Sequence, residues 1–409
     1  MINRVLWVLA CLLPIIIIPI KGIPDIFNIA KGPVLGLGSV YLIYLLFKEK
    51  SKVLTRANMV LVTYLLFVLA ASFLAYKPLL ALTGMSNTAG RVEGFLTLFF
   101  YGVLFFAAKE HMRLTRNNIV FFLMVQSTVA IYAILQFYHM DPLVEYFNYN
   151  KGAYATIGNQ NFLASLTVLL LVLSSGFYLN ENKWYYVLFP LVFFGALLAS
   201  NTRGCWLALI AITFLSLYVL RFRLLRRRYL ILMASLSIVF FTMNFFSGSK
   251  IQNRTNTIKN ELSLTDEGAG SGRVMIWMMS IDIIKAHPFF GAGPENLKEA
   301  LKKTKNKRAI TYGKLTGRTV DKAHNDLIHI AAVSGIPALI LYLSFIFLLF
   351  KQNIRHLFRL NIKSVFALVI LAYLLQSLFN ISVVAVTPLF WILLGLFAQE
   401  QEKTRIEAI

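Results

Sequence analysis

The chain has 409 residues, of which 58% are apolar and 14% aromatic, and only 14% are charged. A soluble domain would carry apolar content nearer half and charge nearer a quarter, and disordered, collagenous or disulfide-built secreted chains differ further still, so a polytopic membrane protein is what remains. The 40 Lys and Arg against 18 Asp and Glu leave a net charge of +22; in a soluble protein that would point to nucleic acid, but here it reads first as topology and then as phosphate binding, with no nucleic-acid partner expected.

A hydrocarbon core about 30 Å thick requires roughly 17 to 25 apolar residues per helix. Twelve such runs follow one another, at 4–20, 33–47, 58–76, 94–108, 118–138, 161–180, 184–200, 204–220, 229–246, 326–350, 364–382 and 386–399. The expected fold is therefore an all-α polytopic integral membrane protein of about twelve transmembrane helices with a long loop before the tenth. Its regions are 1–246 with spans one to nine, the loop 247–325 with amphipathic helices, and 326–409 with spans ten to twelve and a tail. Arg4 before an apolar stretch and Val8-Leu9-Ala10-Cys11 faintly match a lipoprotein signal, but apolar residues continue past Cys11 without a small-residue cleavage site, so a helix is expected there. Cys11 and Cys205 both fall in spans and form no disulfide framework.

With both termini cytoplasmic, the inner loops carry Lys48 to Arg56, Lys109 to Arg116, Lys183, Arg221 to Arg228 and Lys351 to Lys363. Together with Arg4, Lys403 and Arg405 this places 20 cations inside, against 6 on the short outer segments, as the positive-inside rule requires. The other 14 lie in 247–325, a segment too long for that rule to count.

Three positions on the expected outer face carry chemistry. Arg203 lies in Ser200-Asn201-Thr202-Arg203-Gly204, where the polar residues can cap the eighth span; an arginine beside a helix N-terminus suits an anion, or else snorkels to lipid headgroups. Arg273 opens a helix through Lys285 that is apolar on more than one side and lies on the membrane or over the bundle. A cation there opposes the helix dipole, which hints at an anion to pair with. His287-Pro288 ends that helix, and Gly291-Ala-Gly293-Pro294-Glu295 is expected to start the next, with Pro294 at its first position. The run Lys302, Lys303, Lys305, Lys307 and Arg308 reads as a solvated face near anionic lipid. His324-Asn325 opens the tenth span; the dipole disfavours an imidazolium there and leaves a proton acceptor, although Asp321 and Asp326 pull the other way and a capping role is the plain alternative. His329, deeper in the same helix, reads as an interior histidine. The sequence holds no Asp-x-Asp pair, His-Glu-x-x-His motif or clustered His/Cys set, so no metal and no other cofactor is expected, and a diphosphate would be neutralised by arginine, lysine and backbone N–H groups.

These residues resemble the bacterial O-antigen ligase and O-antigen polymerase superfamily. The family's His-[Asn/Ser/Gln]-x9-Gly pattern is matched by His324-Asn325 and Gly335 in HNDLIHIAAVSG, continuing as Gly335-Ile-Pro-Ala338 where the family has Gly-x-x-[Gly/Thr/Val]. Its loop Arg-x3-Leu pattern is matched by Arg273-Val-Met-Ile-Trp277, with Trp in place of Leu, followed by HPFFGAGPENL. Asn201-Thr-Arg203-Gly204, Gly158-Asn159-Gln160-Asn161 and Gly90-Arg91-Val-Glu93-Gly94 are similar as well, and their order on one face of the deduced topology is more specific than any one of them.

The resemblance implies a GT-C-like fold in the bacterial inner membrane with an extracytoplasmic active site. It implies an inverting, metal-independent glycosyltransferase that moves a glycan from undecaprenyl diphosphate to an acceptor hydroxyl on a lipid or protein. Arg203 and Arg273 would hold the diphosphate and His324 would activate the hydroxyl, with Arg91, Asn159, Asn161 and Asn325 as further substrate contacts. The ligase form is favoured over a repeat-unit polymerase or a protein O-oligosaccharyltransferase. A lipid-linked glycan flippase is the alternative of another class; it should hold its charges in a central cavity, whereas here they concentrate in one loop.

Overall fold

The structure, a computed structural model, describes the chain apart from residues 19, 21–25, 50–54, 86–91, 142, 144–151, 182, 221–225, 257–271, 359–360 and 401–409. Its described elements are helical. In order they are α1 (Ile2–Ile15), α2 (Lys31–Lys48), α3 (Arg56–Phe73), α4 (Pro78–Thr83), α5 (Phe95–His111), α6 (Arg116–Phe137), α7 (Gln160–Asn180), α8 (Leu188–Ala199) and α9 (Arg203–Leu220). There follow α10 (Arg226–Phe246), α11 (Lys250–Asn256), α12 (Arg273–Ala286), α13 (Leu297–Lys303), α14 (Lys307–Thr316), α15 (Asp326–Ser334), α16 (Ile336–Leu357), α17 (Ile362–Ser377) and α18 (Thr387–Ala398). Side chains that compete with the backbone mark several starts: Thr55, Thr115, Asn159, Asn306, Asn325 and Asn361 each accept an N–H from the first turn that follows.

Five described helices are long and apolar enough to cross a membrane: Arg56–Phe73, Arg116–Phe137, Gln160–Asn180, Arg227–Phe246 and Ile336–Leu357. Shorter apolar helices, among them Ile2–Ile15, Ile362–Ser377 and Thr387–Ala398, pack with them. Among these helices α7 and α18 are the most enclosed by their neighbours. Around α18 the rings of Tyr101, Phe345 and Trp391 stack, with centroids 6.4 Å apart for Tyr101 and Trp391 and 6.0 Å for Phe345 and Trp391.

At the end of the bundle away from the loop, Lys363 is fully buried, and its ammonium donates to the carbonyls of Phe397 at 2.7 Å and Leu396 at 3.3 Å. It satisfies the last turn of α18, so this cation has a structural duty beyond the topological one read from the sequence.

A second apolar cluster, including Ile276, Met279, Ile283, Leu297, Leu301 and Val333, holds α12, α13 and α15 together. The helix expected after Gly272 therefore packs over the bundle. Two expectations are corrected here. Pro294 does not begin a helix: Gly291 to Glu295 form a turn, and α13 starts at Leu297 after Asn296, whose Nδ2 donates to the Pro294 carbonyl at 2.7 Å. The run 326–350 is not one helix but two, α15 and α16, meeting at Gly335.

Gly335 shows why. Its φ of 90° and ψ of 164° lie in a region essentially reserved for glycine, and a Cβ built there would sit 1.9 Å from the Phe289 carbonyl oxygen. The close approach lets the turn after α12 stitch itself backbone to backbone across the break. The N–H groups of Ala292, Gly293 and Ile336 donate to the carbonyls of Ala332, Val333 and Pro288 at 2.9, 2.7 and 2.8 Å. At Gly291 a Cβ would meet the Val333 carbonyl carbon at 2.4 Å for the same reason.

Candidate active site at four helix starts

Helix alternation brings the starts of α7, α9 and α15 and the loop between α17 and α18 to one end of the bundle, and α12 folds back onto it. Each sequence-derived candidate that the structure describes stands at such a start. Asn159 caps α7, Arg203 is the first residue of α9, Arg273 the first of α12, and Asn325 caps α15 with His324 immediately before it. Helix N-termini present N–H groups and positive potential, so a cluster of them beside two arginines is suited to an anion.

Specific contacts join these starts. The Thr202 hydroxyl donates to the Gln160 carbonyl at 3.3 Å and to the Ser200 carbonyl at 3.2 Å, tying α9 to α7. Asn380 Nδ2 donates to the Asn161 carbonyl at 2.8 Å, bringing in the loop between α17 and α18. Ser382 in that loop donates its N–H to Asp326 Oδ1 at 2.9 Å, reaching the first residue of α15. The Arg273 guanidinium lies close enough to Cys205, two residues beyond Arg203, to bear on it electrostatically.

The asparagines are accounted for structurally. Asn159 Oδ1 accepts the Asn161 N–H at 2.8 Å, Asn325 Oδ1 accepts the Ile328 N–H at 3.1 Å, and Asn161 Oδ1 lies 3.5 Å from the Thr202 hydroxyl. Arg91 lies outside the described residues. Four of the eight described non-glycine residues with positive φ lie in these segments: Val92 at 54°, Asn201 at 54°, Glu295 at 59° and His324 at 51°. Each costs of order 1 to 3 kcal/mol and persists only where its surroundings fix it, a pattern common at functional sites.

Sequence reasoning missed a buried polar network just beneath His324. Glu93, 6% exposed, accepts from the Tyr101 hydroxyl at 2.7 Å and the Ser382 hydroxyl at 2.9 Å. Thr387 Oγ1 lies 3.0 Å from the Ser382 hydroxyl and 3.1 Å from the Tyr373 hydroxyl. Lys322 pairs with Glu295. Glu93, Glu295, Lys322, Asp326, Tyr373, Ser382 and Thr387 line a cavity of about 70 Å³. The available signal was the charge itself, since Glu93 and Lys322 flank apolar segments where acids and lysines are rare and costly.

Burial pushes the Glu93 carboxyl up to about 7, against the pull of Lys322 and the two hydroxyl hydrogen bonds, with Glu295 adding to the rise. The folded protein thus keeps this proton to a higher pH than the unfolded chain, whose glutamates titrate near about 4.3. Stability is lost as pH rises between those values, and the cost is complete above about 7. Glu93→Gln should remove that slope. In thermal unfolding the melting temperature of the variant relative to wild type is expected to rise from pH 5 to pH 8; an equal difference at both would show that Glu93 does not hold the proton.

No curated protein sequence matches the chain. Residues 186–343 match the family model described as O-antigen ligase, and this stretch holds Arg203, Arg273, His324 and Gly335, which supports the resemblance to the O-antigen ligase superfamily.

Proposed function

We propose that the chain is an inverting glycosyltransferase of the O-antigen ligase type, transferring a glycan from undecaprenyl diphosphate to an acceptor hydroxyl at the outer face of the bacterial inner membrane without a metal ion. The observation that carries the reading is that Arg203, Arg273 and the His324–Asn325 pair each stand at a helix start, all inside the family-matched region. The five long helices and five shorter apolar ones make ten candidate spans among the described residues, and this reading adds α2 and α5 for twelve, with both termini inside and this site outside.

A sugar diphosphate brings its own leaving group, so the protein's tasks are to receive charge and to take a proton. His324 accepts the proton of the acceptor hydroxyl as its oxygen bonds to the anomeric carbon. The bond from that carbon to the diphosphate oxygen breaks with its electron pair, and Arg203 and Arg273 meet the developing charge. Direct displacement inverts the anomeric centre and leaves no sugar on the enzyme. Asn159, Asn161, Asn325 and Arg91 contact substrate only secondarily in this reading, because Asn159 and Asn325 are engaged as caps and Asn161 lies against the Thr202 hydroxyl.

A lipid-linked donor also finds a place for its chain. An apolar cleft of about 590 Å³, lined by residues including Leu171, Leu209, Thr213, Leu236, Phe240 and Leu368, runs between α7, α9, α10 and α17. Its first residue on α9, Leu209, lies six residues beyond Arg203, about 9 Å along the helix.

The test is transfer by the purified protein in detergent with a carrier-linked donor, an acceptor and added chelator. Product that depends on the protein and is unaffected by chelator is expected. Arg203→Gln and Arg273→Gln should each lower kcat/KM for the donor by about 10- to 100-fold, the value of one or two charge-assisted hydrogen bonds. Absence of transfer, or both variants matching wild type, would overturn the proposal. Ligase and repeat-unit polymerase separate on glycolipid gels of a deletion strain. A lost ligase leaves bare acceptor with polymer on the carrier, whereas a lost polymerase leaves single repeats on the acceptor.

A further inference from the structure

His324 holds a left-handed backbone conformation, uncommon for a residue with a Cβ. The chain is anchored on both sides of it. One residue after it, Asn325 caps α15, and Asp326 beyond accepts the Ser382 N–H at 2.9 Å. Two residues before it, Lys322 is 3% exposed and its ammonium pairs with the Glu295 carboxylate. Glu295 is itself fixed, because it follows the turn whose Ala292 and Gly293 N–H groups donate to the α15 carbonyls of Ala332 and Val333.

These contacts close a ring: from α15 through the turn to Glu295, across the ion pair to Lys322, along the chain to His324, and back into α15. The ion pair is the ring's only link made by two side chains. Apolar packing of equal volume would hold the segment at least as well, since burying two charges offsets much of their attraction. What the pair adds is direction, as an ammonium and a carboxylate must meet at defined distance and angle.

We infer that the Lys322–Glu295 pair is a positioning device for His324, fixing the backbone from which the imidazole reaches the acceptor hydroxyl while touching no substrate itself. The inference rests on the reading of His324 as the general base. Lys322 and Glu295 are then positioning residues for the chemical step. Their loss should act on kcat far more than on donor affinity, because a reacting group displaced by about 1 Å can cost about 10²-fold in rate.

The experiment compares full-length Lys322→Met, Lys322→Arg, Glu295→Gln, His324→Ala and the double variant Lys322→Met/His324→Ala in the transfer assay, with melting temperature and donor binding measured on each. Lys322→Met and Glu295→Gln are expected to lower kcat by about 10- to 100-fold with donor KM within about twofold of wild type. Lys322→Arg, which keeps the charge and can still pair, should recover most of the rate. On the His324→Ala background, Lys322→Met should cost nothing more, because no base remains to be positioned.

Wild-type kcat in Lys322→Met, or an equal further loss on the His324→Ala background, would overturn the inference while leaving the base reading intact. Full activity in His324→Ala would overturn both. If Lys322→Met does not fold, Glu295→Gln and Lys322→Arg make the same comparison, and an arginine variant that is folded, binds donor and is as slow as Glu295→Gln would overturn the inference.

Discussion

Replacing His324 with alanine is expected to lower kcat for glycan transfer by about 10²- to 10⁴-fold, the range supplied by a positioned general base. Donor binding should be nearly unchanged, because the arginines that would hold the diphosphate belong to α9 and α12 and not to the segment before α15. The measurement is initial rate against donor concentration with the acceptor saturating. A variant that loses KM and keeps kcat would make His324 a binding group, and one at the wild-type rate would remove it from the mechanism. His329 offers an internal control. It lies one turn into α15 and lines the small cavity, so His329→Ala should have a much smaller effect on kcat than His324→Ala.

Gly335→Ala is expected to abolish the folded, active protein. The conformation alone costs about 1 to 3 kcal/mol for a residue with a Cβ, and the methyl would fall 1.9 Å from the Phe289 oxygen. Relief requires the turn after α12 to move away from the α15–α16 break, which breaks three backbone hydrogen bonds, each worth about 1 kcal/mol and more when a buried group is left unpaired. Size-exclusion profile and thermal unfolding in detergent are the checks. An alanine variant with wild-type melting temperature and activity would mean that the turn is not seated on the break. The same reasoning applies more weakly at Gly291, where the neighbour is the Val333 carbonyl carbon.

These two residues show how far the sequence could be read. His324 and Gly335 were legible as a spaced pair, and their resemblance to a family pattern singled them out. The reason for the glycine was not legible, because its neighbour Phe289 is 46 positions away in a turn that docks only after the chain has folded. Continuous apolar residues across 326–350 concealed the break for the same reason: periodicity registers burial, and both halves are buried on some face. Pro294 carried a familiar helix-start signal that the tight turn overrode. Arg203, Arg273 and the capping asparagines could be placed at helix starts from local chemistry alone. Glu93, Lys322 and Ser382 could not be grouped, since each looks like an ordinary residue between spans until tertiary contacts bring three distant segments together.

The loop between α17 and α18 has a consequence for exchanging parts between related proteins. The segment that matches the family, 186–343, contains both arginines and the histidine but none of Glu93, Asn161, Asn380 or Ser382. Those four fasten the α7 start and the first residue of α15 to the rest of the bundle. A chimera that transplants the family segment alone would therefore carry the reactive groups into a foreign seat. Exchange should succeed only when residues 93, 159–161 and 379–387 travel with it, which makes the site a property of the whole bundle and not a portable cassette.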